Sequence, residues 1–141
     1  MKRTSIILTS IFVVLIGCAS SENMASKRNM QVINATYKHW SHPPASGSDV
    51  PERGINLKIT LQNWPEGYKP KYIVFERLES HSATVAKYEE DKVIITARII
   101  RVSNKLTRTA KSTTLSDRLV FSDPDGNIGF IEIIDWQRAE L

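Results

Sequence analysis

A strict alternation of apolar and polar residues between positions 55 and 62 is the feature that most constrains the fold. The apolar members are Ile55, Leu57, Ile59 and Leu61, and the polar members between them are Asn56, Lys58, Thr60 and Gln62. Successive side chains on a strand point to opposite faces, so a period of two places all four aliphatic side chains on one face. The pattern therefore predicts a half-buried strand, with one face on a core and the other in water.

Six further segments have the composition of strands, because β-branched and aromatic residues concentrate in them. They are residues 30–39, 71–78, 83–88, 93–102, 118–122 and 128–137. Seven short strands with a turn about every ten residues are typical of an all-β domain. We therefore predict a single antiparallel β-sandwich, immunoglobulin-like in outline, with a small β-barrel as the alternative.

Turn residues separate the predicted strands. Residues 123–126 read Asp-Pro-Asp-Gly, in which Pro sets φ near −65° and Gly accepts a positive φ, so they predict a β-hairpin turn. The same turn, followed by Asn127 and with Glu132 six residues after its Gly, has a faint likeness to a calcium-binding loop. Pro124 and the flanking strands favour the hairpin over the calcium site.

Three segments are predicted as loops or as irregular structure. Residues 41–54 are rich in Pro, Gly and Ser, and a loop of this length is often functional. Residues 63–70 form a turn that carries two aromatic side chains. Residues 103–116 have the composition either of an irregular strand or of a solvated loop. We expect a partner to contact chiefly the loops at 41–54 and 63–70.

The N-terminus has the pattern of a secretory signal peptide. Lys2 and Arg3 precede an apolar run over residues 6–17. As a helix this run would be about 18 Å long, whereas a transmembrane helix needs about 20 apolar residues. Its length and its positively charged flank are those of a signal peptide.

Residues 15–18, Leu-Ile-Gly-Cys, close that run, and Cys18 is the only cysteine of the chain. This motif resembles the signal of bacterial lipoproteins. The resemblance implies that residues 1–17 are a cleaved signal peptide and that Cys18 is lipid-modified and becomes the first mature residue. Residues 18–29 would then be a lipidated flexible tether and residues 30–141 the β-sandwich domain. Ala19 favours the outer membrane, because the enterobacterial sorting rule retains lipoproteins with Asp at that place in the inner membrane.

A second resemblance covers most of the predicted domain. Residues 33–40 are followed by a loop rich in Gly, Ser and Pro and then by residues 54–61, and residues 119–133 form the closing hairpin. This arrangement resembles small bacterial lipoproteins of unassigned function. The resemblance implies a β-sandwich and carries over no catalytic residues.

The sequence has no recognisable catalytic or metal-binding constellation. The only imidazoles are His39, His42 and His81, and motifs of the Gly-x-Ser-x-Gly or His-Glu-x-x-His type are absent. Cys18 lies in the signal motif, so no thiolate is left for a structural zinc site. We expect no enzyme, no cofactor and no metal site, and a cell-envelope hydrolase of unrecognised type stays open as an alternative.

Aromatic and basic residues are the candidates for binding. The aromatic candidates are Trp40, Trp64 and Tyr68, and the basic ones are Lys105, Arg108 and Lys111. The basic residues could contact anionic lipid headgroups or a glycan. The chain has 19 basic and 15 acidic residues, including Lys2 and Arg3 of the predicted signal peptide. This small excess of positive charge is not typical of a nucleic-acid-binding protein.

Together these observations predict a lipid-anchored accessory or binding protein of the cell envelope. The membrane would be contacted through the N-terminal lipid, on the periplasmic or outer face, with the outer membrane favoured. The expected partner is an envelope protein or a glycan. A lipoprotein inhibitor of a secreted enzyme is a further alternative.

Overall fold

Two five-stranded sheets pack face to face in the structure, a computed structural model that describes residues 29–44, 46–47, 49–103 and 109–140. The strands are β1 (Gln31–His42), β2 (Glu52–Gln62), β3 (Lys69–Phe75), β4 (Leu78–Glu79), β5 (Ala83–Glu89), β6 (Lys92–Val102), β7 (Lys111–Ser112), β8 (Arg118–Ser122), β9 (Ile128–Glu132) and β10 (Gln137–Arg138).

The strand order confirms the predicted sandwich. One sheet, the β2 sheet, has the order β10-β1-β2-β6-β5, and the other, the β3 sheet, has the order β7-β4-β3-β8-β9. All the strand pairs are antiparallel except β1 with β10. The orders β1-β2-β6-β5 and β3-β8-β9 match the four-plus-three arrangement of immunoglobulin constant domains. The two sheets are separate, so the small barrel is not formed.

The core lies between the sheets and is centred on β2. The four aliphatic side chains of its inward face are at most 1% exposed: Ile55, Leu57, Ile59 and Leu61. The β3 sheet contributes the facing side chains, chiefly Ile73, Phe75, Leu119, Phe121 and Ile131. Each fully buried side chain of this size contributes about 1.5–3 kcal/mol, and the alternation at 55–62 thus supplies the centre of the core.

The prediction of one strand over residues 71–78 is wrong, because a tight turn interrupts it. Glu76 and Arg77 have φ values of 48° and 63°, and β4 pairs back on β3. Positive φ at both central residues is the geometry of a type I′ hairpin, which usually carries Asn or Gly. Contacts from elsewhere hold the turn: Asp117 Oδ1 accepts the Glu76 N–H at 2.9 Å, and the Arg77 carbonyl accepts the Thr113 N–H at 2.9 Å.

Three other predicted boundaries differ from the structure. The loop at 41–54 is shorter, because β1 and β2 remain paired as far as His42 and Glu52. The strand at 128–137 ends at Glu132, and the chain then crosses to the β2 sheet to form β10. Within 103–116, residues 111–112 form β7, while 104–108 lie outside the described residues.

Three turns gather at the end of the sandwich where Asn29 lies, which we call the Asn29 end. The Asn63 amide donates to the Asn29 carbonyl at 3.2 Å, and the Asn63 N–H donates to the Asp91 carbonyl at 3.1 Å. The turns at 63–67, 89–92 and 123–127 carry six acidic residues and one lysine. The Asn29 end is therefore acidic.

We expect Arg77→Gly to raise the free energy of unfolding by about 1 kcal/mol, because Gly adopts a positive φ without the steric cost that other residues have. Urea unfolding of both proteins measures this difference. Glu79→Gly is the matched control, since it places the same residue two positions further on in β4. The control should lower the stability, and a lower stability of Arg77→Gly would contradict the prediction.

Candidate functional site

A depression of about 540 Å³ crosses the outer face of the β2 sheet. We call it the outer groove. Strands β1, β2, β6 and β5 supply its floor, and Ala139 and Ser82 lie at its two sides. Its lining residues are Thr36, Tyr37, Lys38, Asn56, Leu57, Lys58, Ser82, Thr84, Thr96, Ala97, Arg98 and Ala139.

Strand register arranges the polar side chains of the outer groove in two rows. Lys38 on β1, Asn56 on β2 and Arg98 on β6 are opposite one another in the first row. The second row, two residues along, reads Thr36, Lys58, Thr96 and Thr84 across β1, β2, β6 and β5. These residues alternate along each strand with the buried residues. The same alternation therefore places one set of side chains in the core and the other set on the floor of the groove.

The outer groove is positively charged. Lys38, Lys58 and Arg98 are exposed, and none of the described lining residues is Asp or Glu. No described carboxylate forms a salt bridge with any of the three. Lys58 is a diagonal neighbour of each of the other two cations, at a distance of about 7–8 Å for such positions. Three cations thus share one small area. One described acid that senses this charge is Glu89, whose pKa is lowered chiefly by its hydrogen bond to Lys87 and more weakly by the charge of Lys58.

Two ring side chains contact Arg98. Its guanidinium carbon lies 3.8 Å from the centroid of the Trp40 ring, a cation–π contact. Its Nη2 lies 3.4 Å from Nε2 of His42. Arginine can only donate hydrogen bonds, so the His42 Nε2 is the acceptor. Both partners orient the guanidinium and leave its positive charge in place.

Trp40 sits at the margin of the outer groove over Gly54. A Cβ atom at Gly54 would lie 2.4 Å from Cζ2 of Trp40 and 2.1 Å from the Ile99 carbonyl oxygen. Only glycine fits beneath the Trp40 indole. Arg98 stacks on the same ring. Trp40 thus supports Arg98, a role that its aromatic character alone did not suggest.

The other aromatic candidates lie apart from the outer groove. Trp64 has its ring centroid 5.6 Å from that of Phe121 and 6.1 Å from that of Tyr68. Tyr68 is only 5% exposed and belongs to the core. The 63–70 turn therefore directs both rings into the sandwich, at the Asn29 end.

The basic candidates are only partly described. Lys111 is exposed on β7, at the edge of the β3 sheet, and lies outside the lining of the outer groove. Lys105, Arg108 and Cys18 fall outside the described residues. Sequence reasoning missed Lys38 and Lys58 as site residues, although both stand at outward positions of alternating strands.

The histidines are not brought together into a catalytic or metal site. His39 and His42 are three residues apart on β1, so their side chains lie on opposite faces of the sheet. His81 lies in the connection between β4 and β5. Among the described residues, no group of three or more His, Cys, Asp or Glu is placed to hold a metal ion.

The 123–127 turn uses the Asp123 carboxylate for its own hydrogen bonds. Oδ1 accepts the N–H groups of Asp125 and Asn127 at 2.9 and 2.8 Å, and Oδ2 accepts the Asn127 side-chain amide at 2.9 Å. The Asn127 side chain is the main cause that holds the pKa of Asp123 below its ordinary value. Strands β8 and β9 pair on either side of this turn, as the hairpin prediction requires.

Comparison of the chain with protein-family models, with curated proteins and with solved structures found no match. In the described part of the chain, no helix has the length and hydropathy that a membrane span requires. The candidate site therefore rests on the geometry of the outer groove.

We expect Asp123→Asn to lower the stability at neutral pH and to have little effect in acid. A carboxylate whose pKa is depressed in the folded state stabilises it above the unfolded-state pKa, and this contribution disappears as the pH falls through the folded-state pKa. Urea unfolding of both proteins at a series of pH values measures the difference in their free energies of unfolding. Asp125→Asn is the control, because it removes a charge from the same turn but keeps these hydrogen bonds. An effect of Asp123→Asn that is equal at all pH values would contradict the prediction.

Proposed function

We propose that this protein is a lipid-anchored accessory protein of the bacterial cell envelope and that its outer groove binds an anionic ligand. One observation carries the binding proposal: Lys38, Lys58 and Arg98 share a concave surface whose described lining contains no Asp or Glu. Charge-assisted hydrogen bonds from Arg and Lys are the usual means of holding carboxylates and phosphates.

The repulsion among the three cations, which lowers the stability of the fold, supports this function. The three cations are not directly opposite one another, but like charges within one small area still repel, and Thr or Gln at these exposed positions would avoid that repulsion. Residues that lower the stability of the fold with no compensating contact are expected at functional sites. Arg98 is in addition oriented by Trp40 and His42, as a ligand-binding residue should be.

The position of Asn29, where the predicted tether joins the domain, supports a groove that stays accessible when the protein is anchored to the membrane. A lipid on Cys18 would hold the domain through residues 19–29, and a flexible chain of that length has a root-mean-square reach of about 20 Å. That tether joins the domain at the Asn29 end of the sandwich. The outer groove lies on the side of the sandwich, so anchoring leaves it open to the envelope.

We expect the triple variant Lys38→Gln, Lys58→Gln, Arg98→Gln to bind anions about tenfold more weakly or worse, because each lost charge-assisted hydrogen bond weakens binding. The measurement is amide chemical-shift perturbation of the full-length chain in non-ionic detergent, with pyrophosphate and polygalacturonate as probes at low ionic strength. In the wild-type protein the outer-groove residues should shift.

The charge-matched control carries Lys69→Gln, Lys71→Gln and Arg77→Gln, which lie on β3 and its turn. It should bind as the wild-type protein does. Urea unfolding of the groove variant, which should remain cooperative, separates lost binding from lost folding. Absence of shifts with both probes, or equal weakening by the control, would contradict binding in the groove.

We expect Cys18→Ala to abolish incorporation of labelled palmitate and to release the protein from the membrane fraction. The reason is that the thiol carries the lipid, and each buried methylene contributes about 0.8 kcal/mol to anchoring. Ser20→Ala is the matched control and should stay lipidated. Unchanged labelling of Cys18→Ala would contradict the lipid anchor.

A further inference from the structure

We infer that the ligand of the outer groove is an extended acidic glycan, a chain of hydroxylated sugars that carry carboxylates, lying across the strands. The inference rests on the proposed function and specifies the class of anion. Three features of the groove carry it: its span, the separation of its cations, and the uncharged side chains between them.

The span of the outer groove exceeds that of a small anion. It runs from Ala139, beyond β10, across β1, β2 and β6 to Ser82 and Thr84 at β5. These are five hydrogen-bonded strands, and four interstrand spacings amount to about 19 Å.

The cations are spread along this span. Lys38 and Arg98 stand two strands apart, a backbone separation of about 10 Å, and Lys58 lies between them in the next row. Arg98 stacks on Trp40 and contacts His42, which places its guanidinium beside these two rings. Charges held apart in this way match acidic groups that repeat along a chain better than they match one phosphate.

The uncharged lining residues suit a ligand rich in hydroxyl groups. Between and beside the cations lie three threonines, one serine and one asparagine: Thr36, Thr84, Thr96, Ser82 and Asn56. Their hydroxyl and amide groups both donate and accept hydrogen bonds, as sugar hydroxyls do. Stacked bases would find no platform here, because Tyr37 packs inward on Phe75 and the Trp40 ring is stacked with Arg98.

Calorimetric titration of the full-length chain in non-ionic detergent with galacturonic acid oligomers of increasing length tests the inference. The affinity should rise with each added sugar until the oligomer spans the sheet, and then level off. Neutral dextran should not bind. Linear polyphosphate of matching length, which has the charge but lacks the sugar hydroxyls, should bind more weakly than the glycan.

Two substitutions separate recognition of hydroxyl groups from recognition of charge. Thr36→Val and Thr96→Val keep the side-chain shape and the net charge. Each should weaken glycan binding about three- to tenfold and polyphosphate binding less, because a phosphate oxygen can only accept from the threonine hydroxyl, whereas a sugar hydroxyl can also donate to it. Thr114→Val, at an exposed position outside the lining of the groove, is the matched control and should change neither.

Each result decides between the two proposals. If the galacturonic acid monomer binds as tightly as the oligomers, the ligand is not an extended chain. If polyphosphate binds as tightly as the glycan, the ligand need not be a sugar. Both results are compatible with a groove that binds anions. Failure of all anions to bind would overturn the proposed function itself.

Discussion

The pairing of β2 with β1 on one side and β6 on the other determines where most other side chains lie. The inward residues of β2 form the centre of the core, with exposures of 0–1%, and its outward residues Asn56 and Lys58 form part of the floor of the outer groove. A slip of one residue would exchange the two faces, because the side-chain period of a strand is two. Burial of the core therefore also fixes the register that brings Lys38 and Arg98 into one row.

The long strands of the fold could be predicted from the sequence, because alternation and β-branched composition are local signals. The turn at Glu76 and Arg77 could not, since its positive φ values are stabilised by Asp117 and Thr113, which are distant in the sequence. β10 was missed for a related reason. Trp136 packs on Phe75, with ring centroids 4.9 Å apart, where the chain passes from one sheet to the other, and nothing local in residues 128–137 marks that crossing.

The candidate site was less predictable than the fold, because it is made by register. Lys38, Lys58 and Arg98 come from three strands, and only the pairing of those strands makes them neighbours. Trp40 was recognised by residue type, but its support of Arg98 depends on the space that Gly54 leaves. Trp64 and Tyr68 were candidates for binding by residue type, and both rings pack on Phe121 in the structure.

The parallel strand β10 has a consequence for the order of assembly. It pairs with β1 at Thr36 and Tyr37, and Ala139 directly after it lines the outer groove. A chain that emerges N-terminus first presents β1 early and β10 only after the strands between them. One side of the groove is therefore completed last, and a partly emerged or truncated chain would present an unfinished surface.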